Sequence, residues 1–133
     1  MFYVIREIHF SYGHRLLHHP GKCARLHGHN GRVEIEISSS MLNAQKMVMD
    51  FYEIRNILGA WINETLDHQM ILGKDDPLVE VLQNAGEPVV VIPENPTAEI
   101  LAKWIFEEGR KKGLPISRVT LWETPSSAAS YRE

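Results

Sequence analysis

The sequence of 133 residues contains one cysteine, no long apolar run and no excess of basic residues. A lone cysteine cannot form an internal disulfide, and no apolar stretch approaches the roughly 20 residues that span a bilayer. Lysine and arginine number 14 against 17 acidic residues, a net charge of −3, which disfavours nucleic-acid binding because that requires concentrated positive charge. The N-terminus lacks the pattern of a signal peptide. We therefore expect one cytoplasmic domain over residues 1–133 with no membrane or nucleic-acid partner.

Hydrophobic patterning predicts an α+β fold with an antiparallel sheet. The clearest strand is Leu26–Ser38, in which apolar and charged residues alternate. Two long helices should begin at Asp50 and Thr97, because both side chains can cap a helix; the first should end near residues 65–67 and the second before Gly113. The other predicted elements are strands over Phe2–Phe10, Lys46–Met49, Pro88–Ile92 and Ile116–Glu123, a short helix from Asp76 to Gln83 and an irregular tail over Thr124–Glu133.

Six of the seven histidines lie within the first thirty residues, and imidazole is the commonest metal ligand. His27 and His29 are two residues apart in a predicted strand, so their side chains should share a face with Cα atoms about 6–7 Å apart. His14, arriving from the preceding strand or its hairpin, would supply a third nitrogen. Three histidines leave one coordination position of zinc open, the pattern of catalytic sites. The alternative is a set of surface histidines, which is our interpretation of His18 and His19.

Cys23 allows three interpretations. It could be a fourth zinc ligand that closes the site, or a reactive thiolate beside the metal, favoured by the basic neighbours Lys22 and Arg25. Free cysteines are also often inert, buried residues, although the polar flanks argue against a core position.

Asp67 and His68 follow the first long helix. The carboxylate could orient the imidazole for proton transfer, or the two could be a helix-end residue and a surface residue. Thr97 is primarily a helix cap, although helix N-termini also bind anions.

Glu123 falls on the face of the last strand that it shares with Val119 and Leu121. A carboxylate on a buried face needs partners, and the two donors of an aminopyrimidinone edge would satisfy it. The alternatives are a solvated strand end or an ion pair with Arg118.

Six motifs occur in order between residues 10 and 124. They are Phe10-Ser11-x-x-His14, Cys23-x-x-x-His27-Gly28-His29-Asn30, Val48-Met49-Asp50-Phe51, Leu66-Asp67-His68, Asn95-Pro96-Thr97-Ala98-Glu99 and Trp122-Glu123-Thr124. Together they resemble the 6-pyruvoyltetrahydropterin synthase family, in its bacterial 6-carboxytetrahydropterin synthase branch. The resemblance implies a tunnelling fold (T-fold), with a four-stranded antiparallel sheet and two helices on one face. It also implies a barrel closed by three subunits, a homohexamer of two trimers and active sites at subunit interfaces.

The resemblance further implies a zinc-dependent lyase with one zinc ion per subunit and a small-molecule pterin substrate, 7,8-dihydroneopterin triphosphate. The implied roles are zinc ligation by His14, His27 and His29, general base catalysis by Cys23, proton relay by Asp67 and His68 with Glu123 sometimes included, and substrate binding by Glu123 and Thr97. In the carboxy branch, the products are 6-carboxytetrahydropterin, acetaldehyde and triphosphate, on the route to queuosine and other 7-deazapurines. In the pyruvoyl branch, triphosphate is eliminated and the side chain is kept.

Three departures from the family pattern concern the surroundings of the site. Gly31 stands where the family often has an aromatic residue, Tyr12 and Gly13 replace the usual pair of alanines, and the segment after His68 lacks Leu-Asn-Asp. Specificity for the substrate side chain therefore stays open, as do a pyruvoyl-type product, a related side-chain lyase and a non-catalytic zinc- or pterin-binding protein. By charge, the candidates for binding triphosphate are Arg15, Lys22 and Arg25.

Overall fold

The computed structural model describes residues 1–133, which form a mixed sheet of six strands. The strands are β1 (Phe2–His14), β2 (His27–Ser39), β3 (Gln69–Gly73), β4 (Val89–Ile92), β5 (Ile116–Thr124) and β6 (Ser127–Tyr131). Their order in the sheet is β4-β3-β1-β2-β5-β6. Strands β1, β2, β5 and β6 are neighbours in the sheet, and each is antiparallel to the next. Strand β3 runs parallel to β1, and β4 runs parallel to β3.

Three helical segments accompany the sheet. The first comprises α1 (Phe51–Ile54), a π-helical turn (Arg55–Gly59) and α2 (Ala60–Thr65), which follow one another without a break; the others are α3 (Leu78–Asn84) and α4 (Ala98–Lys111). None of these helices combines the length and the apolar character that crossing a membrane requires.

The hydrophobic core lies on one face of the sheet, where 19 buried residues from the strands, the first helical segment and α4 form a single cluster. In β2, Val33, Ile35 and Ile37 are buried while the charged residues between them are not, as the alternation predicted. Ile54 and Leu58 are completely buried on the first helical segment, and full burial of such a side chain stabilises the fold by about 1.5–3 kcal/mol. Helix α3 buries no residue and lies outside the core.

The predicted caps of the two long helices are present. Asp50 accepts a hydrogen bond from the amide of Tyr52 at 2.9 Å, and the hydroxyl of Thr97 accepts one from the amide of Ile100 at 3.2 Å. Gly113 follows the end of α4 with a φ of 88°, a left-handed conformation that glycine adopts without steric cost.

The predicted four-stranded antiparallel sheet is wrong, and so is the predicted strand over Lys46–Met49. That segment is a turn, in which the side chain of Asn43 accepts hydrogen bonds from the amides of Gln45 and Met47. Such local bonds satisfy the backbone without a strand partner. The strand predicted over Pro88–Ile92 does form, but it joins the sheet in the parallel orientation as β4.

The sequence prediction also missed two strands and the true length of β1. Strand β3 has only five residues and no alternation, and β6 falls in the tail expected to be irregular, where small and polar residues pair with β5 at the sheet edge. Strand β1 continues four residues past its predicted end, because Tyr12 to His14 pair with the start of β2. That extension brings His14 to the other histidines.

Candidate metal centre and active site

The pairing of β1 with β2 brings three histidines together at one end of the sheet. His14 lies opposite His27, and Tyr12 lies opposite His29. The ligand atoms of the three imidazoles all lie within 4.8 Å of one another, and the rings of His14 and His27 are 4.5 Å apart. His14 is 2% exposed, and the other two are half-buried. The three nitrogens could hold a divalent metal ion.

Two backbone carbonyls fix the orientation of two of these rings. The Nδ1 atoms of His14 and His27 donate to the carbonyls of Pro96 and Arg25 at 2.7 and 2.6 Å, which leaves each Nε2 lone pair free to bind a metal. The Nε2 atoms of His14 and His29 are buried without a hydrogen-bond partner. Burial lowers the pKa of His14, which favours the neutral form that metal ligation requires. Buried nitrogens without partners and a neutral imidazole fit zinc or another ion that prefers nitrogen ligands.

Glu123 adjoins the histidine cluster and faces a cavity. Its carboxylate oxygens lie 3.6 Å from Nε2 of His14 and 3.8 Å from Nε2 of His29, and the hydroxyl of Tyr12 donates to its Oε1 at 3.1 Å. The cavity holds about 330 Å³ and is lined by Leu16, Thr97, Ala98, Glu99, Glu123 and Ser127–Ala129. The structure therefore brings the two predicted substrate-binding residues, Glu123 and Thr97, to one cavity.

Arg118 is not the partner of Glu123. Its Nη2 donates to Oε2 of Glu36 on β2 at 2.6 Å, because the register of β2 and β5 places these two residues directly opposite each other. The ion pair between Arg118 and Glu123 that the sequence allowed is not formed, and no lysine or arginine lies within ion-pair distance of the Glu123 carboxylate.

Cys23 lies in a single 3-10 turn, Lys22–Ala24, in the connection between β1 and β2. Its carbonyl accepts a hydrogen bond from the amide of Leu16 at 2.8 Å, which ties this turn to a residue that lines the cavity beside Glu123. The thiol is half-buried and does not belong to the group of mutually close ligand atoms. This geometry favours a thiol near the site over a fourth metal ligand.

Asp67 and His68 do contact each other, although neighbouring residues need not. Oδ2 of Asp67 accepts from Nδ1 of His68 at 2.8 Å, and its Oδ1 accepts from the amide of Ser11 at 2.8 Å. His68 has a φ of 58° and donates its own amide to the carbonyl of Ser11. The Ser11 amide is the largest cause of the lowered pKa of Asp67. The turn therefore holds an ionised carboxylate against an imidazole whose side chain is 81% exposed.

Within one chain, the pair formed by Asp67 and His68 does not meet Cys23. His68 lines a second cavity of about 700 Å³, together with Ser11, Asn30 and two of the clustered histidines, His27 and His29. No hydrogen bond joins Cys23 to the pair, and Cys23 does not line the cavity that contains His68. Cys23 and the Asp67–His68 pair therefore do not share a cavity within one chain.

Two residues to which the sequence analysis gave no role at the site, Asn95 and Asp76, hold the segment after His14. Asn95 accepts from the amide of Leu17 at 3.0 Å and donates to its carbonyl at 2.9 Å. The side chain of Asp76 receives two hydrogen bonds from Arg15. Arg15 is therefore committed to an ion pair, whereas Lys22 and Arg25 form none and remain candidates for binding a polyphosphate. In the sequence, the only hint that Arg15 helps to hold the site is its position next to His14.

The fold and the site define an α+β protein in which three histidines that could hold a metal ion lie beside a carboxylate-lined cavity. Comparison with known proteins then places it: the chain belongs to the 6-pyruvoyl tetrahydropterin synthase family, whose family model matches residues 3–133. It is 33% identical over 141 residues to the 6-carboxy-5,6,7,8-tetrahydropterin synthase of Haemophilus influenzae, with all of both chains covered. It is 38% identical over 125 residues to the enzyme of that name from Aquifex aeolicus, covering 84% of this chain and 76% of the relative.

Solved structures share the fold over the whole chain. An uncharacterized protein from Wolinella succinogenes matches with a TM-score of 0.84 and 26% identity, covering 99% of this chain and 98% of the other. The 6-pyruvoyl tetrahydropterin synthase of Caenorhabditis elegans matches with a TM-score of 0.71 and 23% identity, covering 99% and 95%. The expected α+β architecture of this family is thereby confirmed, with six strands in place of four.

Proposed function

We propose that this protein is a zinc-dependent 6-carboxytetrahydropterin synthase. It would convert 7,8-dihydroneopterin triphosphate to 6-carboxytetrahydropterin, acetaldehyde and triphosphate, on the route to 7-deazapurines. The observation that supports this most directly is the cluster of three histidines with free Nε2 atoms beside the cavity of Glu123. The full-length similarity to the H. influenzae enzyme of that name favours the carboxy branch.

In this proposal, His14, His27 and His29 hold one zinc ion per subunit through their Nε2 atoms. When bound, zinc would supply Lewis acidity toward oxygens of the substrate side chain. The carbonyls of Pro96 and Arg25 keep two of the imidazoles in the tautomer that ligation requires.

Glu123 would bind the pterin ring. Its carboxylate has no lysine or arginine beside it and keeps free acceptor sites after the single bond from Tyr12. The ring N–H and amino group of an aminopyrimidinone are two adjacent donors that match a carboxylate. Thr97 lines the same cavity, so it can contact the ring while its hydroxyl caps α4.

Proton transfer would use Cys23 as the base that removes a C–H proton from the side chain, while His68, oriented by Asp67, returns a proton at the ring. Because Cys23 has no hydrogen bond to the Asp67–His68 pair and does not line its cavity, we expect an oligomer in which the pair from one subunit completes the site of the next. The homohexamer implied by the family resemblance would meet this expectation.

The experiment that tests the function is incubation of the zinc-loaded protein with 7,8-dihydroneopterin triphosphate, with acetaldehyde and the pterin product measured in one sample. Acetaldehyde together with 6-carboxytetrahydropterin is the expected result. A pyruvoyl product without acetaldehyde would assign the protein to the other branch, and absence of any turnover would contradict a synthase.

Two variants separate catalysis from metal binding. Cys23→Ala should abolish turnover and keep zinc, because the thiol lies outside the ligand group; loss of zinc would instead support a four-ligand, non-catalytic protein. His27→Ala should lose zinc. The matched control is His19→Ala, since His19 is exposed and its Nδ1 only accepts from the amide of Gly21.

A further inference from the structure

Tyr12 is a buried polar side chain placed between the metal centre and Glu123. It is 4% exposed, and its ring stacks on Phe10 at 4.9 Å and lies 5.2 Å from the ring of His14 and 5.7 Å from that of His29. Its hydroxyl donates a hydrogen bond to Oε1 of Glu123 at 3.1 Å.

Gly31 makes room for this ring. A Cβ atom at position 31 would lie 3.0 Å from Cε1 of Tyr12, 3.2 Å from Cε1 of Phe10 and 3.3 Å from the carbonyl oxygen of Phe10. Contacts this short force neighbouring atoms to move. Any side chain at position 31 would therefore crowd the observed Tyr12 ring.

Tyr12 places a hydroxyl group next to Glu123. The bond from Tyr12 to Oε1, at 3.1 Å, is the only hydrogen bond that the chain gives to this carboxylate. The same carboxylate lies 3.6 and 3.8 Å from two buried Nε2 atoms that have no hydrogen-bond partner. Carboxylate oxygens are good zinc ligands, so a freely rotating Glu123 could reach the ion that these nitrogens hold.

We infer that Tyr12 is a positioning residue that holds the Glu123 carboxylate at the cavity and keeps it from joining the three histidines as a fourth metal ligand, because the carboxylate bonded to Tyr12 lies outside the group of mutually close ligand atoms. The inference deepens the proposed function and rests on it for the metal and the pterin. A site closed by four protein ligands is structural, whereas catalysis needs one open position. The Tyr12 hydroxyl would therefore keep Glu123 out of the open coordination position. It would also orient this carboxylate for binding the pterin ring.

The test uses the cobalt(II)-loaded protein, because the visible absorption of cobalt reports the number and type of its ligands. In Tyr12→Phe the ring packing is kept and only the hydroxyl is lost, so we expect the spectrum to change as the carboxylate joins the metal. In Tyr12→Phe/Glu123→Gln the spectrum should match that of Glu123→Gln alone. Affinity for neopterin, an oxidised pterin used as an unreactive probe, should fall roughly tenfold or more in Tyr12→Phe, as expected on losing a hydrogen bond to a charged group.

The control is Tyr131→Phe, which removes a hydroxyl without a hydrogen-bond partner from a ring packed on Phe106, away from the site. It should leave the cobalt spectrum and neopterin affinity unchanged. An unchanged cobalt spectrum in Tyr12→Phe would overturn the inference. Failure of the unsubstituted protein to bind cobalt would contradict both proposals. Normal cobalt behaviour without production of acetaldehyde would count only against the proposed function, since the spectrum does not depend on turnover.

The close packing of the Tyr12 ring against Gly31 can be tested separately. Gly31→Ala should lower the Tm of the protein, and the loss should be smaller when Tyr12→Ala has already removed the ring, because the 3.0 Å contact no longer exists. The contacts with Phe10 remain in both backgrounds, so some loss persists. Equal losses of Tm in the two backgrounds would show that the Tyr12 ring does not depend on glycine at position 31.

Discussion

Replacing Arg15 with alanine would remove the ion pair that fastens the end of β1 to the loop before α3. Nε and Nη2 of Arg15 donate to the two carboxylate oxygens of Asp76 at 2.7 and 2.5 Å. The Asp76 side chain is only 1% exposed, whereas the Arg15 side chain is 20% exposed. In the variant, this buried carboxylate would keep one hydrogen bond, from the amide of Leu78 at 2.9 Å.

The expected loss of folding free energy follows from the burial of the Asp76 carboxylate. Removing one partner of a buried ion pair destabilises a protein by about 3–5 kcal/mol. The partial exposure of Arg15 and the remaining bond from Leu78 place this case at the lower end, about 3 kcal/mol. For a chain of this size, that corresponds to a fall in Tm on the order of 10 °C.

The effect should depend on pH in a defined direction. The Arg15 guanidinium is the main cause of a lowered pKa for Asp76 in the folded protein. A carboxylate with a lowered folded pKa stabilises the fold above its unfolded pKa of about 3.9, and this stability is lost as the pH falls toward the folded value. The difference in Tm between the two proteins should therefore be complete at neutral pH and narrow below about pH 4.

Differential scanning calorimetry across this pH range provides the measurement. Lys22→Ala is the matched control, because it removes an exposed cation that has no ion pair and should leave Tm unchanged. The reasoning would be refuted if Arg15→Ala kept its Tm at neutral pH, or if the substitution raised only the KM for a triphosphate substrate, since Arg15 would then bind substrate and not Asp76.

Three further outcomes are expected. Asn95→Ala should lower zinc affinity about 10- to 100-fold in a chelator competition, because the side chain of Asn95 binds the Leu17 backbone and the next residue, Pro96, supplies the carbonyl that orients His14. Unchanged affinity would contradict this reasoning. Gly109→Ala should lower the free energy of unfolding by about 1–3 kcal/mol in urea titrations, because a Cβ there would lie 2.2 Å from Cδ1 of Ile116, and a neutral effect would contradict the close packing of α4. Zinc at a hundredfold excess over its Kd should stabilise the fold by about 2.7 kcal/mol, and a Tm that does not respond to zinc would argue against a site in the folded state.

The core and the long helices could be predicted because their signals are local. The alternation in β2 and the spacing of Ile54 and Leu58 reflect which side chains face water, a property that each segment expresses alone. The capping of the two long helices by Asp50 and Thr97 is similarly local. The short strands β3 and β6 lack such a signal, since their place in the sheet depends on partners distant in sequence.

The sequence by itself determined which residues could form the site. The types and spacing of His27 and His29 require a shared face in a strand, and the ordered motifs identify the family. Whether His14 joins them depends on a register that pairs it with His27, and register is a property of two strands and not of one.

Only the tertiary structure decided how each of these groups is used. In the folded chain, Arg15 donates to Asp76 and Arg118 donates to Glu36. The hydroxyl of Tyr12 donates to Glu123. Each of these bonds joins residues at least 61 positions apart. The physical reason is that a charged or polar side chain takes the partner that folding brings within hydrogen-bond distance, and the sequence states its chemistry but not its neighbours.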